Sequence, residues 1–205
     1  MTALVTTEPG PDAWARSHVA NEPRDSDDPL GTLEWLQLLC RAAARAVPAG
    51  GVAVSLTTDD GERALAAASD ATAADADELQ FTLGEGPCRE AFSSSRPVLV
   101  PDLSEASSIG RWPGYATDVQ DRGVHAVFAL PMQVGAARLG ALSVHFSEPT
   151  VLSAEGLGRI LAFVGLPGPG HGDGATRGRP GRGHGSLTCP RVRRWLGASV
   201  TWPAT

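Results

Sequence analysis

Between residues 28 and 47 the apolar positions fall at helical spacing, with Leu30, Leu33, Leu36, Leu39, Cys40, Ala43 and Val47 along one stripe. Asp28 supplies an N-cap, Pro29 suits the first helical position and Pro48 stops the run, so a helix is predicted over 28–47. The period then changes. GVAVSLTTDDGERALAAAS, from Gly51, reads as two short strands joined at Asp60 and Gly61, a pair that favours a tight hairpin turn. An alanine-rich helical link leads to LQFTLGEGPCREAF, where Gly86 and Pro87 open a helix carrying Cys88, Ala91 and Phe92. PVLVPDL is a strand closed by Pro101, and a loop with Trp112 and Pro113 precedes another helical stretch, YATDVQDRG.

The next segment, GVHAVFALPMQVGAARLGALSVHFSEP, is an antiparallel hairpin. With Gly135, Ala136 and Ala137 as the loop, Val134 faces Arg138, and Phe128, Leu130 and Met132 share a face with Leu142, Val144 and Phe146. A slip by one residue would mix these with Ser143 and His145, so the first register is preferred. The other face carries His125, Val127, Ala129 and Pro131 beside Ala141, Ser143 and His145, mostly small side chains. Ser153 caps a last helix, SAEGLGRILAFVGL, weakened by Gly156 and Gly158 and stopped by Gly165 and Pro167. This order of helices and hairpins predicts an α+β domain, an antiparallel sheet with helices on its faces.

Composition divides the chain into three. Residues 1–29 hold four prolines and scattered acids and are expected to be a flexible segment, with room for a short helix around 12–20; residues 30–166 are the expected folded domain. From 167 to 205 glycine, proline and arginine recur without a period, and such a segment does not bury enough apolar surface to offset its ordering cost of about 1–2 kcal/mol per residue. It is read as a disordered tail, and its composition is what a GC-rich sequence yields in a wrong reading frame, hence a frameshifted or degenerated remnant.

Charge follows the same division. All 17 basic residues are arginine against 23 acids, for a net charge of -6, yet the tail has six arginines and one acid, Asp173. An acidic surface repels polyphosphate, so nucleic acid could engage only a local patch such as Arg191, Arg193, Arg194 and Trp195. The three cysteines, Cys40, Cys88 and Cys189, are unpaired in spacing and read as reduced thiols; with no secretory leader and no long apolar run, a soluble cytoplasmic protein is expected.

LGEGPCREAF, then PVLVPDL, RWPGYA and the hairpin GVHAVFALPMQVGAARLGALSVHF, occur in an order and spacing that resembles a GAF domain of the kind found in actinobacterial GAF and ANTAR regulators, over residues 30–166. The resemblance implies a non-enzymatic sensory module with a small-molecule pocket on one side of its sheet and a homodimer surface formed by the first and last helices of the domain. In those relatives an RNA-binding ANTAR domain follows; here no three-helix periodicity follows Leu166, so the ANTAR part is read as missing and the output domain as lost.

Candidate ligand-binding residues are Cys88, Trp112, Tyr115, His125, Phe128, Ser143 and His145, and each has a plainer reading. Cys88 in a first helical turn could be an activated thiolate, but a free cysteine is more often a small buried apolar residue, and Glu85 beside it opposes a thiolate. His125 and His145 sit diagonally on one face, about 7–8 Å apart, and imidazoles bind anions, metals or haem iron. Without a third ligand, satisfied or edge-exposed histidines are the better reading. Trp112, Tyr115 and Phe128 more often mean core than pocket, although small residues beside a Trp-bearing loop are where a cavity opens. No catalytic triad, phosphate loop or metal spacing is present in the sequence of the core, and the cofactor is left unassigned. Two alternatives of other classes stand beside this one: an RNA-binding antitermination regulator acting through the arginine tail, and an enzyme resembling the free methionine sulfoxide reductases, for which Cys40 and Cys88 on two predicted helices are a poor set.

Overall fold

Large side chains on one side of two long strands and small ones on the other set the architecture. The computed structural model describes residues 10–24, 31–47, 49–57, 63–134, 136–166 and 168. In chain order these form helices α1 (Pro11–Ala20) and α2 (Thr32–Ala46), strands β1 (Gly51–Thr57) and β2 (Arg63–Ala68), helices α3 (Ala71–Leu83) and α4 (Pro87–Ser94), strand β3 (Val98–Val100), helices α5 (Ala106–Arg111) and α6 (Pro113–Gln120), strands β4 (Ala126–Val134) and β5 (Ala137–Phe146), and helix α7 (Ala154–Val164). The sheet has five strands in the order β2-β1-β5-β4-β3, every neighbouring pair antiparallel, with helices on both faces, as the pattern predicted.

The expected register holds along most of the β4–β5 hairpin: Phe128 faces Val144 and Leu130 faces Leu142. Its closed end differs. Val134 faces Ala137 and Gln133 faces Arg138, because a bulge after Met132 absorbs Leu139, so the Val134–Arg138 pairing across a three-residue loop is corrected. The extra residue tucks Leu139 into the core, and burying a leucine is worth about 1.5–3 kcal/mol. Gly140 beside it lies so close to β1 that any Cβ would collide with the Ser55 carbonyl.

On the large-residue face, Phe128, Leu130, Val144 and Phe146 pack with α2 and α7. The predicted stripe of α2 is buried at Leu36, Leu39, Cys40, Ala43 and Val47. Trp35, Leu38 and Ala42 are buried as well, a second stripe that a single-face helix would leave exposed. The cause is α1, which lies across α2 and α7 with Ala15 and Val19 buried; Trp14 meets Phe163 edge to face at 5.6 Å, under the guanidinium of Arg159. Just beyond α1, buried Glu22 pairs with Arg45 at 3.0 Å and Arg41 at 3.8 Å. Among the described residues, packed structure is therefore present in α1, ahead of the boundary expected at 30. The described part of α2 begins at Thr32 with Gly31 as N-cap; the expected cap Asp28 and Pro29 lie outside the described residues, as do Asp60, Gly61, Gly135 and the tail from 169.

The opposite face presents Val127, Ala129, Ala141 and Ser143, small enough for α3 and α4 to sit close to the sheet, with α5 and α6 completing that layer. No helix among the described residues is long and apolar enough to cross a membrane.

Candidate ligand cavity

The segment from Gln80 to Cys88 organises the small-residue face. Gly84 ends α3 in the left-handed conformation. Glu85 then reaches α6, where its Oε1 accepts the backbone N–H groups of Gly114 and Tyr115 at 2.7 and 2.8 Å. These are first-turn donors that no helical carbonyl satisfies. Gly86, at φ 131, is needed twice over, since a Cβ there would collide with the Gln80 side chain. That close approach lets Gln80 Oε1 accept the Cys88 N–H at 2.7 Å, capping α4. The bond fixes the orientation of the amide: Oε1 faces Cys88, and Nε2 is left free.

Beside this junction, between β1, β2 and α3, lies a cavity of about 280 Å3 lined by Ser55, Arg63, Leu65, Asp77, Gln80 and Phe81. Three polar atoms there are buried without a hydrogen-bond partner among the described residues: Asp77 Oδ1, Gln80 Nε2 and Arg63 Nε. Asp77 and Gln80 are only 5% and 1% exposed. Arg63 donates from Nη2 to Ser55 Oγ. Burial pushes the Asp77 carboxyl up from the ordinary carboxylate range, opposed by the positive charge of Arg63 and by Cys88 and Ser143 beside it. A second, more open hollow of about 460 Å3 adjoins, sharing Arg63 and Arg89 and reaching Phe92 and Trp112.

Of the residues singled out from sequence, Cys88, Tyr115 and Ser143 are brought together around Asp77. Burial, and next the charge of Asp77, pushes the Cys88 thiol up to about 12, so this first-turn cysteine is held protonated. Tyr115 is fully buried, its hydroxyl without a partner among the described residues and its ionisation suppressed by burial. Trp112 is buried at the wall of the second hollow, with Arg111 over its ring at 4.6 Å. Phe128 is not with them: it lies on the opposite face of the sheet, edge to face with Phe146 at 5.5 Å. His125 and His145 keep the diagonal relation, since Val127 pairs with His145. Only His125 is partly exposed, at the entry to β4; His145 is 1% exposed, neither ring nitrogen has a partner among the described residues, and burial lowers its pKa to about 4. Among the described residues no group of three or more His, Cys, Asp or Glu side chains is placed to hold a metal ion.

Arg63, Leu65, Asp77, Gln80 and Phe81 were not singled out from sequence. A signal existed in α3, where Ala73, Ala76, Asp77 and Gln80 recur at helical spacing and are all buried. Two polar residues on an otherwise alanine stripe mark a position where something polar is met.

The GAF domain family model matches residues 33–164. Similar solved structures include the GAF domain of a phosphoenolpyruvate-protein phosphotransferase from Acinetobacter, 12% identical over 76% of this chain and 86% of that one, with a TM-score of 0.55. A domain assigned to a two-component sensor histidine kinase of Sinorhizobium meliloti is 13% identical over 64% of this chain and 83% of that one, TM-score 0.51. A bacteriophytochrome of R. palustris is 12% identical over 75% of this chain and 36% of that one, TM-score 0.50. Likeness at these identities carries the fold alone. No curated protein sequence matches the chain. The family match spans the sheet and both helical layers just described, and on that ground the chain belongs to the GAF domain family.

Proposed function

We propose that this chain is a sensory receptor of a signalling or transcription-regulatory protein, taking up a small molecule between β1, β2 and α3. The observation that carries this is the cavity of about 280 Å3 whose lining includes Asp77, Gln80 and Arg63, side chains that each keep a buried polar atom without a hydrogen-bond partner among the described residues. A buried polar group left unsatisfied costs about 1–3 kcal/mol, so a molecule toward which these side chains turn would recover that cost as affinity. The junction from Gly84 to Cys88 gives such a molecule a mechanical route, because Gln80 and Glu85 tie α3 to the starts of α4 and α6.

A receptor is favoured over a thiol enzyme by the burial of both described cysteines and by their separation. Cys40 lies in the large-residue core against the Ala67 carbonyl and Cys88 on the other side of the sheet, so neither can resolve a bond formed at the other. The arginine-rich segment on which an RNA-binding reading rests lies outside the described residues. A homodimer through α2 and α7 belongs to the same proposal; with α1 lying across both, it would use the open side of α7 around Leu161, which is 46% exposed.

Native mass spectrometry of the full chain, purified from its own host, tests the receptor reading. The expected result is a retained small molecule that Leu65→Trp, which fills the cavity, displaces. A folded protein that carries no added mass and gives no amide shift around Leu65 and Gln80 with any member of a fragment library would overturn it. Sedimentation at rising concentration tests the dimer, and a single monomeric species would contradict it.

A further inference from the structure

The sheet ends at β3, and apolar side chains stay uncovered around it. Leu99 pairs with Phe128 and so lies on the large-residue face, yet it is 45% exposed where Phe128 is 2% exposed. Two hydrogen bonds bring other segments to the same place. The Thr150 N–H donates to the Pro101 carbonyl at 2.9 Å, and Ser108 Oγ donates to the Asp102 carbonyl at 3.0 Å. Val151, 86% exposed, and Ile109, also exposed, directly follow those two donors, so both stand beside the chain as it leaves β3. The rim is acidic. Asp102, Glu105 and Glu148 belong to these segments, and among the described residues none of them is ion-paired, while Arg96 lies at the other end of β3. Exposed Phe81 is in the opposite setting, lining the cavity with Arg63 and Arg89.

What covers such a patch must be both apolar and positive. A second copy meets only the first need, because a twofold contact would set Asp102, Glu105 and Glu148 against themselves. The chain beyond residue 168 meets both, with Arg191, Arg193 and Arg194 beside Trp195 and Leu196. Its reach fits as well. Val151 stands just before α7 and residue 168 just after it, roughly 20 Å apart for an 11-residue helix that rises about 1.5 Å per residue. The 22 glycine-rich residues of 169–190 have the composition of a chain with an r.m.s. span of about 25 Å. A tether whose length matches the distance gives the highest effective concentration. We propose that segment 191–196 of this chain docks on this patch, with Trp195 and Leu196 on Leu99, Ile109 and Val151, and the arginines against Asp102, Glu105 and Glu148. This contact is independent of the cavity, so its failure leaves the receptor reading standing.

Paramagnetic relaxation in the full chain tests the contact. Cys40 and Cys88 are fully buried, so a thiol-directed nitroxide is expected to attach at Cys189, two residues before Arg191, with Cys189→Ser as the unlabelled control. The amides of Leu99, Ile109 and Val151 are expected to broaden, and those of Leu65 and Phe81 beside the cavity to stay sharp. Reversing the charges of the segment, Arg191→Glu with Arg193→Glu and Arg194→Glu, should remove the broadening through positions outside the folded domain, and Trp195→Ser should reduce it. Salt at about 1 M, where the screening length is about 3 Å, should weaken it. Leu99→Ser with Val151→Ser, both at exposed positions, should weaken it from the other side. Broadening that is absent, spread evenly over the surface, centred elsewhere or unchanged by the charge reversal overturns the proposal. So does broadening that passes equally, in a mixed sample, from a nitroxide-bearing chain to an isotope-labelled chain without nitroxide, which would mean that the patch is filled by a second copy.

Discussion

The two faces of the sheet are built to different ends. One packs Phe128, Leu130, Val144 and Phe146 against α1, α2 and α7 in a large apolar core, where buried Glu22 lies at the edge and is paired with two arginines. The other trades large side chains for alanine, serine and valine, brings α3 and α4 close, and there buries Asp77, Gln80, Tyr115 and His145 with polar atoms unpaired among the described residues. Close packing of apolar groups supplies stability, while unmet polar groups spend some of it to hold a site ready. On the proposed reading, stability and reception are segregated on opposite sides of five strands.

The largest effect expected from breaking this contrast is on the apolar side. Leu36→Ala, at a fully buried position, should lower the unfolding free energy in urea by about 2–5 kcal/mol and leave ligand affinity in the folded protein unchanged. A comparable effect belongs to pH on the other face. His145 has its folded pKa lowered to about 4, below its ordinary value, so its contribution is intact above about pH 6.5 and is lost as pH falls toward 4, where the unfolded chain binds the proton and the folded one does not. At about 1.4 kcal/mol per pH unit this amounts to roughly 3 kcal/mol, and urea titrations at pH 7 and pH 4 should show that part of the loss abolished in His145→Leu.

A smaller loss is expected from Glu85→Ala. It uncaps the start of α6 and should cost about 1–2 kcal/mol, with amide exchange accelerated at Gly114 and Tyr115 above all. The smallest effect has the opposite sign. Tyr115→Phe removes a buried hydroxyl without a partner among the described residues and should raise the midpoint of thermal unfolding, by about 1 kcal/mol in free energy; a loss of that size would mean the hydroxyl is paired in solution.

Much of the scaffold was legible because one face of each element is buried. The stripe on α2 and the alternation in the β4–β5 hairpin follow from period alone, and the hairpin register was fixed by the need to keep Phe128 and Val144 together. The bulge at Met132 was not legible, since nothing in LPMQVGAARLG says that Leu139 gains more by turning inward than by keeping a longer loop. The second buried stripe of α2 was hidden for a similar reason: Trp35, Leu38 and Ala42 are buried in one cluster with Ala15 and Val19 of α1, a partner from another part of the chain. Cys88, singled out for its first-turn position, and Tyr115 and Ser143, singled out beside the small-residue face, lie near Asp77 but do not line the cavity, while Arg63 and Gln80, which do, were missed because a polar residue on a helix or an edge strand looks like a solvated one.

Local periodicity, turn chemistry and the glycines of LGEGPC determined which elements form and which sides they bury, because these depend on residues within a few positions of one another. Only the tertiary structure decided that α1 seals the apolar layer, that Gln80 turns its amide oxygen to the Cys88 N–H, and that Arg63, Asp77 and Gln80 line one cavity. Those outcomes depend on distances between segments far apart in the chain, and a linear pattern of polar and apolar residues carries no such distances.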